Sequence, residues 1–200
     1  MIIGLTGGTG TGKTSVSRYF ESAGYDVIDY DLITREIYKK GSACLKEIAG
    51  HFGSEILTSD GELDRRALGA IVFADKKSLE KLNSIVYKYI IEYTADIIEN
   101  SKDKKLLLDA PTLFEAGLQN KCDKLIGVIA PKELRVERVM QRDNLERERV
   151  IDRINSQKDD DFYIKNCDYI INNNGSVSYM EAQVSDIIRE IENELHPQGR

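Results

Sequence analysis

The chain has 200 residues, 41% hydrophobic and 31% charged, enough to bury a sizeable core as one domain with an insertion or as two small ones. A formal charge of −6 argues against a general nucleic-acid or membrane-surface role, while leaving room for a local basic pocket. Cys44, Cys122 and Cys167 lack C-x-x-C spacing and read as reduced thiols, and with only His51 and His196 present a His/Cys metal cluster is not expected.

In chain order, the apolar run Ile2-Ile3-Gly4-Leu5 reads as a strand. It leads into Gly7-Gly8-Thr9-Gly10-Thr11-Gly12-Lys13-Thr14, which matches G-x-x-x-x-G-K-[ST], the P-loop. A helix follows over about Gly12–Ala23, with Val16, Tyr19 and Phe20 on one face and Gly24 as its stop. Tyr25–Asp29 reads as a short buried strand, with Asp29, Tyr30 and Asp31 at its carboxyl end, where open parallel sheets bind ligands.

From 32 to 100 the pattern is helical. Leu45, Ile48, Ala49 and Phe52 share a helix face, Thr58-Ser59-Asp60-Gly61 is a turn, and Asp64 is placed to cap a helix through Leu68, Ile71, Val72 and Phe73. Leu79, Leu82, Ile85, Val86, Tyr89, Ile90, Tyr93 and Ile97 form a long amphipathic stripe expected to be core. Sheet character returns at Lys104–Pro111, where Asp109 ends an apolar strand in the Walker-B manner. Leu125–Ala130 is a further buried strand, Pro131 opens a helix, and Tyr169–Asn172 is a last short strand before a helix carrying Val184, Ile187, Ile188, Ile191 and Leu195. His196–Arg200 reads as a frayed tail. Buried strands alternating with helices predict an α/β fold, a parallel sheet covered on both faces.

A P-loop holds a nucleoside triphosphate: its glycines let successive N–H groups face phosphate oxygens, and the helix behind adds the positive end of its dipole. The expected contacts are Gly8, Thr9, Gly10, Thr11, Gly12, Lys13, Thr14 and Ser15. Lys13 reaches the β- and γ-phosphates from the surface of a cleft, and the Thr14 hydroxyl binds Mg²⁺. Arg135, Arg138 and Arg142 share one helix face, in a segment with seven basic and six acidic residues between Lys132 and Arg153. Two readings fit: a lid whose arginines meet transferring phosphate, or a salt-bridged solvent face with the interleaved glutamates. Asp31 has two readings as well. It orients an acceptor hydroxyl and takes its proton, or it caps the helix at Leu32–Tyr38. Asp29 is a supporting group or, like Asp109, a water-mediated Mg²⁺ ligand. Asn120-Lys121-Cys122-Asp123 spells the guanine-reading N-K-x-D, but it precedes a strand rather than following one, so it is set aside.

The chain also resembles the dephospho-coenzyme A kinases. The blocks that carry the resemblance are Gly4–Thr14, Val27-Ile28-Asp29-Tyr30-Asp31, Leu63–Phe73, Asp109–Glu115, Gln141-Arg142-Asp143 with Arg153 and Gln157, and Ile171–Gly175. The departures are Thr9 for a usual isoleucine, Thr14 for serine, Tyr87-Lys88 for His-Pro and Thr112 for leucine.

The resemblance implies a three-layer α/β/α P-loop kinase fold. Residues 1–31 and 101–200 would form the nucleotide-binding core, 32–100 a helical CoA-binding insertion and 135–158 a helical lid. It implies transfer of the ATP γ-phosphate to the 3′-hydroxyl of dephospho-CoA, with Asp31 as base or orienter and Arg142 on the ATP phosphates; Arg138, on the same helix face, is a further candidate for those phosphates. The expected cofactors are ATP and Mg²⁺, and the expected partners are small-molecule substrates without nucleic acid or membrane. A monomer or weak homo-oligomer is expected. The N-terminus enters a strand directly, without a charged leader, and no apolar run approaches the ~20 residues of a span, so the expectation is cytoplasmic. The competing readings are another small P-loop kinase, acting on a nucleoside or nucleoside monophosphate, and a nucleotide-dependent switch or assembly ATPase.

Overall fold

A computed structural model describes residues 1–195; the tail expected at His196–Arg200 lies outside the described residues. The chain divides into two compact units, one made of Met1–Ile28, Asp103–Leu113 and Leu118 onward, the other of Asp29–Lys102 with Phe114–Gly117.

The first unit is built on a five-stranded sheet in the order β2-β3-β1-β4-β5, from β1 (Ile2–Gly7), β2 (Asp26–Asp29), β3 (Leu106–Asp109), β4 (Lys124–Ile129) and β5 (Tyr169–Asn172). β1 pairs in parallel with β3 (Leu5 opposite Asp109) and with β4 (Thr6 opposite Gly127), and β4 pairs in parallel with β5. Period-2 alternation sends Ile3 and Leu5 to one face, into a core with Val16 and Phe20 of α1 (Lys13–Ser22) and Val184, Ile188 and Ile191 of α9 (Val177–Leu195). On the other face a side chain at Gly4 would strike Leu113, Cys122 and Leu125, and one at Gly127 would crowd Tyr163 of α8 (Asp160–Asn166). Both faces are covered, which is why β3 reads as an unbroken apolar run. β2 is the exception to the expected burial. It is an edge strand and only half-buried.

The chain leaves β1 for one side of the sheet and returns on the other, so the strand order reverses at β1. The crevice at such a reversal, outside the carboxyl ends of the strands, is where open α/β sheets bind ligands, and here it receives the loop after Gly7. Beyond β4, Pro131 is the cap of α6 (Lys132–Asp143) rather than its first residue. α6 packs on α7 (Arg147–Asn155) through Val136, Val139, Val150 and Ile154.

The second unit holds α2 (Tyr30–Ile37), α3 (Ala43–Phe52), α4 (Arg65–Val72) and the 24-residue α5 (Lys76–Glu99), which packs on the other three. Ser42, Asp64 and Asp75 cap α3, α4 and α5 with their side chains. Leu82, Ile85, Val86 and Ile90 of the expected stripe are buried. Tyr93 is not; it is 42% exposed, and Thr94 takes the inward position, bonded to the Tyr30 hydroxyl at 2.7 Å.

Candidate nucleotide site

The loop between β1 and α1 is shaped by two kinds of bond. Internally, the Thr11 N–H and hydroxyl both donate to the Gly8 carbonyl. Externally, side chains from distant elements hold its peptide groups. Arg135 Nε donates to the Thr9 carbonyl at 3.0 Å and Gln157 Oε1 accepts from the Thr9 N–H at 2.8 Å. Arg138 donates to the Gly10 and Thr11 carbonyls, and Asn173 Nδ2 donates to the Thr11 carbonyl at 2.8 Å. Carbonyls held from outside leave the start of α1 to present its Lys13 and Thr14 N–H groups to an anion, the Ser15 N–H being bonded to the Gly12 carbonyl at 2.9 Å. Gly12 caps α1 at φ 91°, and a side chain there would collide with Asn173 Nδ2, so this position accepts glycine alone.

Lys13, expected at the surface of a cleft, has a side chain only 14% exposed and is ion-paired with Asp109 at the end of β3. Thr14 and Ser15 are exposed on the first turn of α1. Thr14 therefore offers a free-standing hydroxyl, and Asp109 a carboxylate, as hard oxygen donors of the kind Mg²⁺ takes.

The arginine face divides. Arg135 is buried, 5% exposed, with Asp160 at 3.6 Å; burial pulls its guanidinium below the usual arginine range, which Asp160 partly opposes. Arg138 is half-buried against the loop and also donates to the Asn173 carbonyl. Neither is a solvent face. Arg142 is exposed and grips Asp143 with two bonds, at 2.7 and 2.9 Å, and Arg153 holds the same carboxylate at 3.0 Å. The Asp143 carboxyl is accordingly held below the usual range, chiefly by Arg142. Arg147 pairs with Glu133, as the salt-bridged reading had it.

Asp29, not Asp31, caps α2: its Oδ1 accepts from the N–H groups of Asp31 and Leu32. Asp31 is exposed in the first turn. The capping alternative for Asp31 is thereby removed, and one oxygen of Asp29 is committed to the backbone. The N-K-x-D look-alike sits at the opposite end of the sheet from the loop. Asp123 Oδ2 accepts from the Ile2 N–H, and its own N–H donates to the Ile2 carbonyl. Among the described residues no group of His, Cys, Asp and Glu could hold a metal ion as a cluster, and no helix is long and apolar enough to cross a membrane.

The family model of dephospho-CoA kinase matches residues 1–179. The chain belongs to the dephospho-CoA kinase family. It is 39% identical over 184 residues to the dephospho-CoA kinase of Fusobacterium nucleatum, covering 92% of this chain and 95% of that one. With the Listeria monocytogenes dephospho-CoA kinase it shares 40% identity over 189 residues, 93% and 94% of the two chains. A dephospho-CoA kinase structure from Campylobacter jejuni superposes with a TM-score of 0.68 at 28% identity, covering 95% and 96% of the two chains. A shikimate kinase from Acinetobacter baumannii, at 18% identity and TM-score 0.51 over 96% and 93%, shares the fold. The P-loop kinase fold is therefore common to dephospho-CoA kinases and to a kinase with a different acceptor.

Arg135 was visible in the sequence as part of the arginine face, but the residue pattern did not single it out from Arg138 and Arg142. Gln157 and Asn173 lay within the blocks of family resemblance without an assigned role. Nothing in their local sequence says that they reach the loop, because both contacts span well over a hundred residues.

Proposed function

We propose that the chain transfers the γ-phosphoryl group of ATP to the ribose 3′-hydroxyl of dephospho-CoA, giving CoA and ADP, the last step of CoA synthesis, in the cytoplasm. The observation that carries this reading is the family match over residues 1–179, which includes the loop, Asp109 and all three arginines of α6. The geometry of the loop supports it.

The N–H groups at the start of α1 bind the β-phosphate, and Lys13 exchanges Asp109 for the β- and γ-phosphate oxygens. Arg138 lies against the loop and Arg142 further along α6, where they stabilise charge on the transferring group. Asp31 orients the acceptor hydroxyl and takes its proton. Thr14, with Asp109 through water, would hold Mg²⁺, which when bound neutralises charge on the β- and γ-phosphates. The second unit, about two-fifths of the chain, takes the remote part of the substrate, and binding energy from that part serves to align the hydroxyl.

Steady-state kinetics with dephospho-CoA, adenosine and AMP as acceptors test the assignment. Dephospho-CoA is expected to exceed the other two by at least ~10²-fold in kcat/KM, with part of the difference in kcat. Adenosine or AMP equal to dephospho-CoA would overturn it in favour of a nucleoside or nucleotide kinase.

A further inference from the structure

Thr9 lies between Gly8 and Gly10, and Gly10 sits at φ 79°. A peptide flanked by two glycines has few barriers of its own against rotating, so its orientation must be imposed from outside. Both of its polar groups are held. The carbonyl accepts from Arg135 Nε at 3.0 Å, and the N–H donates to Gln157 Oε1 at 2.8 Å. The same Gln157 oxygen lies 3.5 Å from Arg135 Nη2, which closes a ring of bonds through Thr9, Arg135 and Gln157. Space is matched as well: a side chain at Gly10 would come within 2.7 Å of the Arg135 carbonyl, and one at Gly8 would collide with the Arg135 guanidinium.

The two holders bracket one helical pair in the chain. Arg135 is in the first turns of α6, and Gln157 follows α7, with its N–H bonded to the Ile154 carbonyl. The apolar cluster of Val136, Val139, Val150 and Ile154 fixes their separation.

We infer that Arg135 and Gln157 form a brace through which the α6–α7 pair sets the conformation of the phosphate-binding loop, making Gln157 a positioning residue for the nucleotide. The inference rests on the reading of this loop as the ATP site. A loop held in its binding shape before the ligand arrives spends less free energy on ordering itself. Loosening the brace therefore weakens nucleotide binding and leaves acceptor binding alone.

The test combines kinetics on ATP and dephospho-CoA, ADP binding by calorimetry, and thermal unfolding. Gln157→Leu keeps the size and removes the acceptor, whereas Gln157→Glu keeps an acceptor oxygen for both Thr9 and Arg135. Gln157→Leu is expected to weaken ADP binding and raise the KM for ATP about tenfold, the loss of one hydrogen bond. Its KM for dephospho-CoA should stay within about twofold and its Tm within about 2 °C, since Gln157 is an exposed side chain. Gln157→Glu should recover part of the loss, its acceptor oxygens restoring the brace while its negative charge opposes the phosphates. Arg135→Lys, which keeps the charge but not the fork, should lose ADP affinity at least as strongly as Gln157→Leu. ADP binding equal to that of the unmodified protein in Gln157→Leu, or in Arg135→Lys, overturns the brace alone. Failure of the unmodified protein to bind ADP overturns the nucleotide-site reading and the brace together.

Discussion

Lys13 and Asp109 have side chains only 14% and 9% exposed, so each is the other's counter-charge where water reaches neither freely. Lys13→Ala should abolish transfer, because the cation that reaches the phosphates is gone. It should also destabilise the protein by about 3 kcal/mol, because the cation beside the largely buried Asp109 carboxylate is removed. Lys13→Ala/Asp109→Asn should be as inactive but more stable than Lys13→Ala alone, which denaturant unfolding of the two variants measures. The two aspartates at the start of α2 separate in the same way. Asp29→Ala should cost about 1 kcal/mol of stability, the loss of a helix cap, whereas Asp31→Asn should leave stability unchanged and lower kcat by ~10²-fold or more. Equal kcat for Asp31→Asn and the unmodified protein would remove Asp31 from the chemistry.

Between α6 and α7, one carboxylate joins two arginines: Asp143 takes Arg142 from its own helix end and Arg153 from the next helix. Its pKa in the fold is held below that of the unfolded chain, so the stability it contributes is complete above the ordinary aspartate value of ~3.9. It is lost as pH falls through the folded value. The difference in unfolding free energy between the unmodified protein and Asp143→Asn should therefore be flat near neutrality and close below about pH 4. Arg142→Ala should lower kcat, and Asp143→Asn should lower it less, by releasing Arg142 without removing it. The elements themselves were readable in the sequence, since period and turn chemistry mark β1, β4, β5, α5 and the Asp64 cap. The site was readable only where a motif is local, as at Gly7–Thr14. Helical spacing puts Arg135, Arg138 and Arg142 on one face, but the face does not say what it meets. Arg142 stands about 10 Å further along the axis than Arg135, which is why one is exposed and the other lies under the loop. Which of two neighbouring aspartates caps α2 depends on where β2 turns into the helix, a geometry that composition does not carry.

At the scale of the whole molecule, the three thiols report separately on the two units, Cys44 on the second and Cys122 and Cys167 on the first. Burial pushes the Cys44 thiol up to about 11 and the Cys122 and Cys167 thiols up to about 12. A raised thiol pKa means that the stability these groups contribute is complete below the unfolded thiol value of ~8.5 and fades as pH rises toward the folded values. The thiolate is the reactive form, so at pH 8 each folded thiol should be alkylated at least ~10²-fold more slowly than in urea. Peptide mapping after timed iodoacetamide labelling gives the three rates independently. Nucleotide bound at the loop stabilises the unit that contains it by mass action, so ATP with Mg²⁺ should slow Cys122 and Cys167 further. Each unit has its own buried residues, and Cys44 should be slowed less. Labelling of Cys122 or Cys167 at the urea rate would contradict their partial burial, and equal slowing of all three by nucleotide would show that the two units open as one.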